Sequence, residues 1–243
     1  MEILEKSLIK TSIILGIFLI IGVSIISYSL YQIKAADNAL SVTGSAKQSV
    51  TADIVKWNGS FSRTVYSSGL KTGYAQMKDD EVIVTKFLKD SGITDAELTI
   101  SPVSMQEQYD YNKSAGAPTE YALIQNVTVQ SSDIQKVQTI SKNIQTIIDQ
   151  GVIFSAYSPE YYYSKLPEMR VTLLPEAMKD AQARAESIAK STGKKVGTLK
   201  SASMGVVQVM QPNSIDISDY GNYDTSTVDK QIMITVKASF SLK

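Results

Sequence analysis

Asp216, Asp219, Asp224 and Asp229 crowd into QPNSIDISDYGNYDTSTVDK, the most polar long stretch of this chain. Clustered carboxylate and carbonyl oxygens are what a hard cation such as Ca²⁺ takes. The spacing is not that of an EF-hand loop, so the expectation is a solvated loop between the two final strands, with contact to a neighbouring subunit as its better use. A second group is aromatic. Tyr157, Tyr161, Tyr162 and Tyr163 cluster in sequence, and Tyr109, Tyr111, Tyr220 and Tyr223 fall in loop-forming stretches. Tyrosine joins a large apolar face to a polar tip and is enriched where proteins meet. Tyr109, Tyr111, Tyr161, Tyr162, Tyr163, Tyr220 and Tyr223 are therefore the candidate subunit interface, with ordinary packing as the alternative. A third group, Glu176, Asp180, Arg184 and Glu186, could be cast as acid and base on one helix. An Asp180–Arg184 pair at i, i+4 already accounts for two of them, and nothing nearby supplies a nucleophile. Arg63 differs, because it falls on the apolar face of its strand, where a charge needs a partner or an interface.

Histidine and cysteine are both absent. That excludes a disulfide framework, a thiol nucleophile, a histidine base, thiolate or imidazole zinc sites, and His- or Cys-ligated haem. Carboxylate, lysine and tyrosine chemistry and oxygen-ligated Ca²⁺ or Mg²⁺ stay open. Met77, Met105, Met169, Met178, Met204, Met210 and Met233 could be oxidised reversibly, but most are expected in the core. No catalytic, cofactor-binding or metal-binding residue is assigned. With 24 basic and 24 acidic residues the formal net charge is zero, which leaves no basic excess for a phosphate backbone and argues against a nucleic-acid partner.

The elements that must position these residues follow from periodicity. Ser41 to Thr51 reads as a strand, and Ile54 to Val65 alternates, with Val55, Trp57, Phe61 and Val65 on one face. Gly69 to Ser91 reads as a helix with Leu70, Tyr74, Met77, Val84 and Leu88 inward. Leu98 to Gln108 and Tyr121 to Gln130 read as strands, the latter with Tyr121, Leu123, Val127 and Val129 on one face. Asp133 caps a helix reaching Gln150, with Ile134, Val137, Ile140, Ile144, Ile147 and Ile148 as its apolar set. Short extended pieces follow at Val152 to Phe154 and Tyr161 to Leu166. Next comes an alanine-rich helix with Pro175 near its first turn. Ala177, Ala181, Ala185 and Ala189 make a small-residue stripe that lets the helix lie close on its neighbour, and Gly193 is placed to end it. Thr198 to Met210 and Gln231 to Leu242 are the last strands. The order β-βαββ-α-βαββ gives an α+β fold, an antiparallel sheet with helices on one face and two βαββ-like units.

Thr11 to Ile33 carries no charge. As a helix it would span about 34 Å, enough for a hydrocarbon core of about 30 Å. A cleaved secretory signal is the alternative. The only small-x-small site near the end of the run is Ser27-Tyr28-Ser29, and the run exceeds the usual signal core, so a retained anchor is favoured. The reading is a short cytoplasmic tail over 1–10, a transmembrane signal anchor over 11–33 and a juxtamembrane link over 34–40. One domain then occupies 41–243, outside the cytoplasm.

Four segments carry a resemblance. They are Val42-Thr43-Gly44 through Ala52-Asp53, Leu88 to Ile93 through Leu98-Thr99, Gln125 to Ser132, and Ala177 to Gly197 with its A-R-A-E-x-I-A core at Ala183 to Ala189. In order and spacing they resemble the SIMPL domain (DUF541) family, which includes bacterial periplasmic immunogenic proteins and YggE-like periplasmic proteins. Ala52-Asp53 stands where the family often has Pro-Asp. The resemblance makes Ala177, Ala181, Ala185, Ala189, Gly193 and Gly197 a helix-packing signature. It implies an exported protein of the cell membrane, periplasmic or extracellular, that builds large ring- or channel-like homo-oligomers, with a link to oxidative-stress tolerance in a relative. It carries no agreed catalytic residues. Self and the lipid bilayer are the expected partners. The rival reading is an envelope module that presents the tyrosine-rich loops to a foreign protein.

Overall fold

The structure is a computed structural model that describes residues 2–36, 39–109 and 118–243, with side chains over 14–31, 39–109 and 118–243. Tyr111 lies outside the described residues. The elements run α1 (Glu2–Ala36), β1 (Ala39–Thr51), β2 (Ile54–Tyr66), a 3-10 turn (Ser67–Gly69), α2 (Leu70–Asp90), β3 (Leu98–Ile100), β4 (Ser104–Gln108) and β5 (Glu120–Ser131). They continue with α3 (Ile134–Lys142), α4 (Gln145–Ile148), β6 (Phe154–Ala156), β7 (Glu160–Tyr162), α5 (Leu166–Ser191), β8 (Val196–Met204), β9 (Gln208–Met210), β10 (Asn222–Tyr223) and β11 (Asp229–Leu242). Within α1, Ile14–Tyr31 is long and apolar enough to cross a bilayer, and none of that window is buried.

The chain divides into two units, one of residues 47–171 and 207–233, the other of 1–46, 172–206 and 234–243. The first unit is organised by alternation. β2 and β5 pair antiparallel from Val55↔Ser131 to Tyr66↔Glu120. β3 and β4 add to the outer side of β5, and β6 and β7 to the outer side of β2. The inward row of β2 (Val55, Trp57, Phe61) and of β5 (Leu123, Val127, Val129) packs with Met77, Val84 and Leu88 of α2, Val137 and Ile140 of α3, and Ile147 of α4. Strands β6 and β7, expected in the second βαββ unit, thus extend the sheet of the first.

Further expectations need correction, among them the single strand over Thr198 to Met210, which is β8 and β9, parted at 205–207. The strand expected over Leu98 to Gln108 is two strands, broken around Pro102, which has no N–H for the ladder. The helix expected to run from Asp133 to Gln150 breaks at Asn143. There Asn143 N donates to Ile140 O and Ile147 N to Ile144 O, an i→i−3 pattern that tightens the turn, sends Ile147 inward and leaves Ile148 exposed. Tyr74 is exposed, because the buried stripe of α2 runs through Gly73, Met77, Asp80, Val84 and Leu88. Gly73 takes the close-packed place, where a Cβ would stand 2.8 Å from Val65 Cγ1 and 2.9 Å from Leu123 Cδ1. Finally, Pro175 lies inside α5, which already begins at Leu166. The expected cap of α3 is present, with Lys136 N donating to Asp133 Oδ1 at 3.0 Å.

Arg63 of β2 finds its partner in the buried stripe of α2. Its Nε donates to Asp80 Oδ2 and its Nη2 to Asp80 Oδ1, both at 2.7 Å, and Nη2 also donates to Gly151 O at 2.9 Å. Asp80 is buried, so this two-pronged pair is what lets a carboxylate sit in the stripe of α2. Between α2 and β3, Glu97 accepts from Ser131 Oγ, Thr94 N, Thr94 Oγ1 and Lys136 Nζ. The Ser131 bond is the chief reason its carboxyl is pulled down to about 2.

The second unit rests on a closer contact. Ala177, Ala181, Ala185 and Ala189 are all buried, and Ala181 and Ala185 pack with Val42, Ala238 and Phe240. Gly44 of β1 lies directly against this stripe, where a Cβ would fall 2.2 Å from Ala177 O and 2.3 Å from Ala181 N. Ser45 N donates to Asp180 Oδ2 at 2.8 Å, and Arg184 Nε donates to the same oxygen at 2.9 Å. The backbone bond from Ser45 is the main cause of the lowered Asp180 carboxyl. β8 pairs with β11 from Val236↔Met204 to Leu242↔Val196, and Lys195 and Lys243 exchange backbone hydrogen bonds at 2.8 Å. Gly193 ends α5 at φ 69°, and Gly197 lies so close to Ser241 that a Cβ would meet its Oγ at 2.3 Å.

Two predictions follow from these contacts. Gly44→Ala should cost about 1–3 kcal/mol through forced overpacking and should raise hydrogen-exchange rates of the Ala238 and Phe240 amides. Asp80→Asn should destabilise by about 3 kcal/mol, since it strands a charge, whereas Arg63→Met with Asp80→Leu should recover most of the loss. Denaturant unfolding followed by fluorescence of Trp57, the one tryptophan of the chain and fully buried, reads the Asp80 outcome, and hydrogen exchange at Ala238 and Phe240 reads that of Gly44.

Candidate functional site

The acidic, tyrosine-rich stretch is built around a buried lysine. Lys230 opens the inward row of β11 ahead of Ile232, and its side chain is fully buried. An ammonium there needs oxygens. Its Nζ donates to Asp224 O at 2.5 Å, lies 3.4 Å from Asp224 Oδ2 and stands 5.9 Å from the centre of the Tyr223 ring. Burial pulls the Lys230 ammonium below the ordinary lysine value, and the Asp224 carboxylate restores part of the loss.

Asp224 is the hub of the loop. Oδ1 accepts from Ser226 N at 3.1 Å and Ser226 Oγ at 2.6 Å, while Oδ2 accepts from Thr227 N at 3.2 Å and from Thr227 Oγ1. Burial alone would raise this carboxyl, but those bonds and the Lys230 charge hold it well below the usual carboxylate range. An Asp accepting from the residues two and three ahead is a turn-forming device, so the sequence Asp-Thr-Ser-Thr folds locally onto its own carboxylate. A second clamp holds the other arm. Gln208 is buried, its Nε2 donates to Ser218 O at 2.6 Å, and Ser218 N donates to Gln208 Oε1 at 3.4 Å. β10 adds in parallel to β9, with Asn222↔Gln208 and Tyr223↔Val209.

The remaining acids are apart. Asp229 accepts from Thr51 Oγ1 at 3.1 Å, whereas Asp216 and Asp219 are exposed. Among the described residues no three Asp or Glu side chains converge to hold a metal ion. The tyrosines separate in the same way. Tyr161 belongs to the core and not to a surface, with its Oη accepting from Gln138 Nε2 at 2.9 Å. Tyr162 packs against Tyr223 with ring centres 5.8 Å apart, and its Oη donates to Glu160 Oε2. Tyr163 N donates to the Tyr223 Oη at 2.9 Å. Tyr109, just past β4, is 80% exposed, and Tyr220 is 97% exposed on the loop that also carries Ile215 at 90% and Ile217 at 66%. Met77, Met210 and Met233 are core residues, whereas Met105 and Met204 are about half exposed.

Lys230, Gln208 and Asp80 escaped the reading of the sequence. The signal for Lys230 was parity, since it shares its side of the strand with Ile232, Ile234 and Val236; for Asp80 it was the helical phase of Met77 and Val84. Lys230→Ala should cost about 3 kcal/mol by leaving a buried partner unanswered, measured by denaturant unfolding with Trp57 as probe. The depressed Asp224 carboxyl contributes stability that is present above its unfolded value of about 4 and is lost as pH falls below it. Asp224→Asn should therefore flatten the decline of the unfolding midpoint on the acid side.

A crystal structure of a tripeptidase from Staphylococcus aureus subsp. aureus Mu50 is similar at a TM-score of 0.20 and 11% identity, over 76% of this chain and 39% of the peptidase, too slight a likeness to carry an argument. A comparison with curated proteins finds no match. The SIMPL family model, described as a protein of unknown function (DUF541), matches residues 40–241. That match runs from the first strand to the last and takes in the alanine stripe, the Arg63 strand and the Lys230 loop, so the chain belongs to the SIMPL family.

Proposed function

We propose that this protein is a membrane-anchored, non-enzymatic SIMPL protein whose domain stands outside the cytoplasm and assembles with copies of itself into a large ring- or channel-like homo-oligomer, serving the envelope under stress, oxidative stress included. The observation that carries the reading is the loop between β9 and β10. It presents Ile215 and Tyr220 almost wholly and Ile217 mostly to solvent, while Gln208 and Asp224 pin its two ends. Apolar side chains held out on a loop tied down at both ends lose less entropy on association than on a free one, which favours a protein interface. The anchor supports the same reading. Ile14–Tyr31 would hold many copies in one plane, and confinement raises their effective concentration.

An envelope module that offers the same loop to a foreign protein is the competing reading. The native mass of the full-length protein extracted in detergent separates the two. Assembly predicts one species many times the 26.5 kDa chain, reduced to smaller species by Ile215→Asp with Tyr220→Ser. A wild-type monomer that crosslinks in cells to one dominant foreign protein would replace self-assembly with the module.

A further inference from the structure

Beside the exposed apolar tip, the same loop encloses an open depression of about 350 Å³ lined by Gln211, Ser214, Asp216, Asn222, Tyr223, Asp224, Thr225 and Ser226. That volume is at the lower end of the ~300–1,000 Å³ typical of small-molecule sites, enough for one sugar ring or the end of a disaccharide. From the chemistry of its lining we propose that this depression binds a neutral sugar. The inference goes beyond the assembly reading and does not rest on it.

No lysine or arginine lines the depression, and Asp216 adds a negative charge there, the Asp224 carboxylate being answered by Lys230, so phosphates and carboxylate ligands find no counter-charge. A hard cation needs six to eight oxygens, but both oxygens of Asp224 are already taken by Ser226 and Thr227, which leaves Asp216 as the carboxylate on offer. An apolar ligand would strand the amides and hydroxyls around it. What remains is a ligand whose groups both donate and accept without charge. Sugar hydroxyls do this, and they meet matching partners here. Among the described residues the Asn222 amide and the Thr225 hydroxyl make no hydrogen bond of their own. Gln211 spends its Nε2 on Ser226 Oγ at 3.1 Å and keeps its carbonyl oxygen to accept. Tyr223, 36% exposed, supplies an aromatic wall fixed by its contacts with Tyr162 and Tyr163. The site is also preorganised, because the Asp224 turn and the Lys230 bond hold its rim before any ligand arrives.

The test uses the full-length chain in a detergent without a sugar headgroup, titrated with glucose, galactose, N-acetylglucosamine and their disaccharides while hydrogen exchange of the amides of residues 211–226 is followed by mass spectrometry. The expected result is a saturable slowing of exchange confined to those residues for at least one sugar. Asn222→Ala and Asp216→Ala should each weaken it by about 10-fold, as loss of one well-made hydrogen bond does, with unchanged Trp57 fluorescence as the check on folding. No saturation by about 50 mM sugar, an affinity under about 2 kcal/mol, overturns the proposal. So does binding that both substitutions leave intact, or a response to Ca²⁺ with none to sugar.

Discussion

Gly44 lies so close to the backbone of α5 that a single methyl group would fall 2.2 Å from Ala177 O. Much of the 172–206 unit depends on that approach. It needs alanines at 177, 181, 185 and 189 on the helix and glycine on the strand, and it brings Asp180 within reach of Ser45 N. That carboxylate satisfies a backbone N–H of the strand, with Arg184 one turn on to balance its charge. A larger residue anywhere along the stripe would lift the helix and leave Val42, Ala238 and Phe240 poorly covered. Close packing of this kind gains dispersion contacts and has no slack to absorb extra volume.

The 47–171 and 207–233 unit solves a different problem, which is how to hold charges in inward rows. Arg63 stands in line with Trp57 and Phe61, and Lys230 stands in line with Ile232. Each is met by one aspartate, but in distinct ways. Asp80 answers Arg63 through two parallel bonds at 2.7 Å, a geometry that only a planar guanidinium offers. Asp224 answers Lys230 mainly through its backbone carbonyl, at 2.5 Å, which leaves the carboxylate free to organise Ser226 and Thr227. The lysine pair therefore shapes a loop, whereas the arginine pair joins a helix to a sheet.

That difference accounts for where the exposed chemistry lies. The 211–221 loop is pinned by Gln208 at one end and Asp224 at the other, and Asn213 adopts φ 63° within it. Between those points the side chains face outward, and the loop carries both the apolar tip read as an assembly surface and the polar depression read as a sugar site. Conserving loop shape with buried polar groups, instead of with apolar packing, leaves the apolar residues of the loop available for contact.

The sequence alone determined the family, the apolar segment, the row of Val55, Trp57 and Phe61, the alanine stripe and the need of Arg63 for a partner. Each is a local or periodic property, and periodicity survives without knowledge of neighbours. It also determined the cap at Asp133 and the Asp180–Arg184 pair, whose partners lie within one helical turn. Tertiary structure alone decided which carboxylate meets Arg63, that Tyr161 is core while Tyr220 is exposed, and that Lys230 is buried over Asp224. Ser45 and Asp180 are brought together in the same way, from distant parts of the chain. The reason is common to all of these: the partner of a buried charge or a backbone N–H is chosen by which strands and helices lie side by side, and spacing along the chain carries no record of that choice.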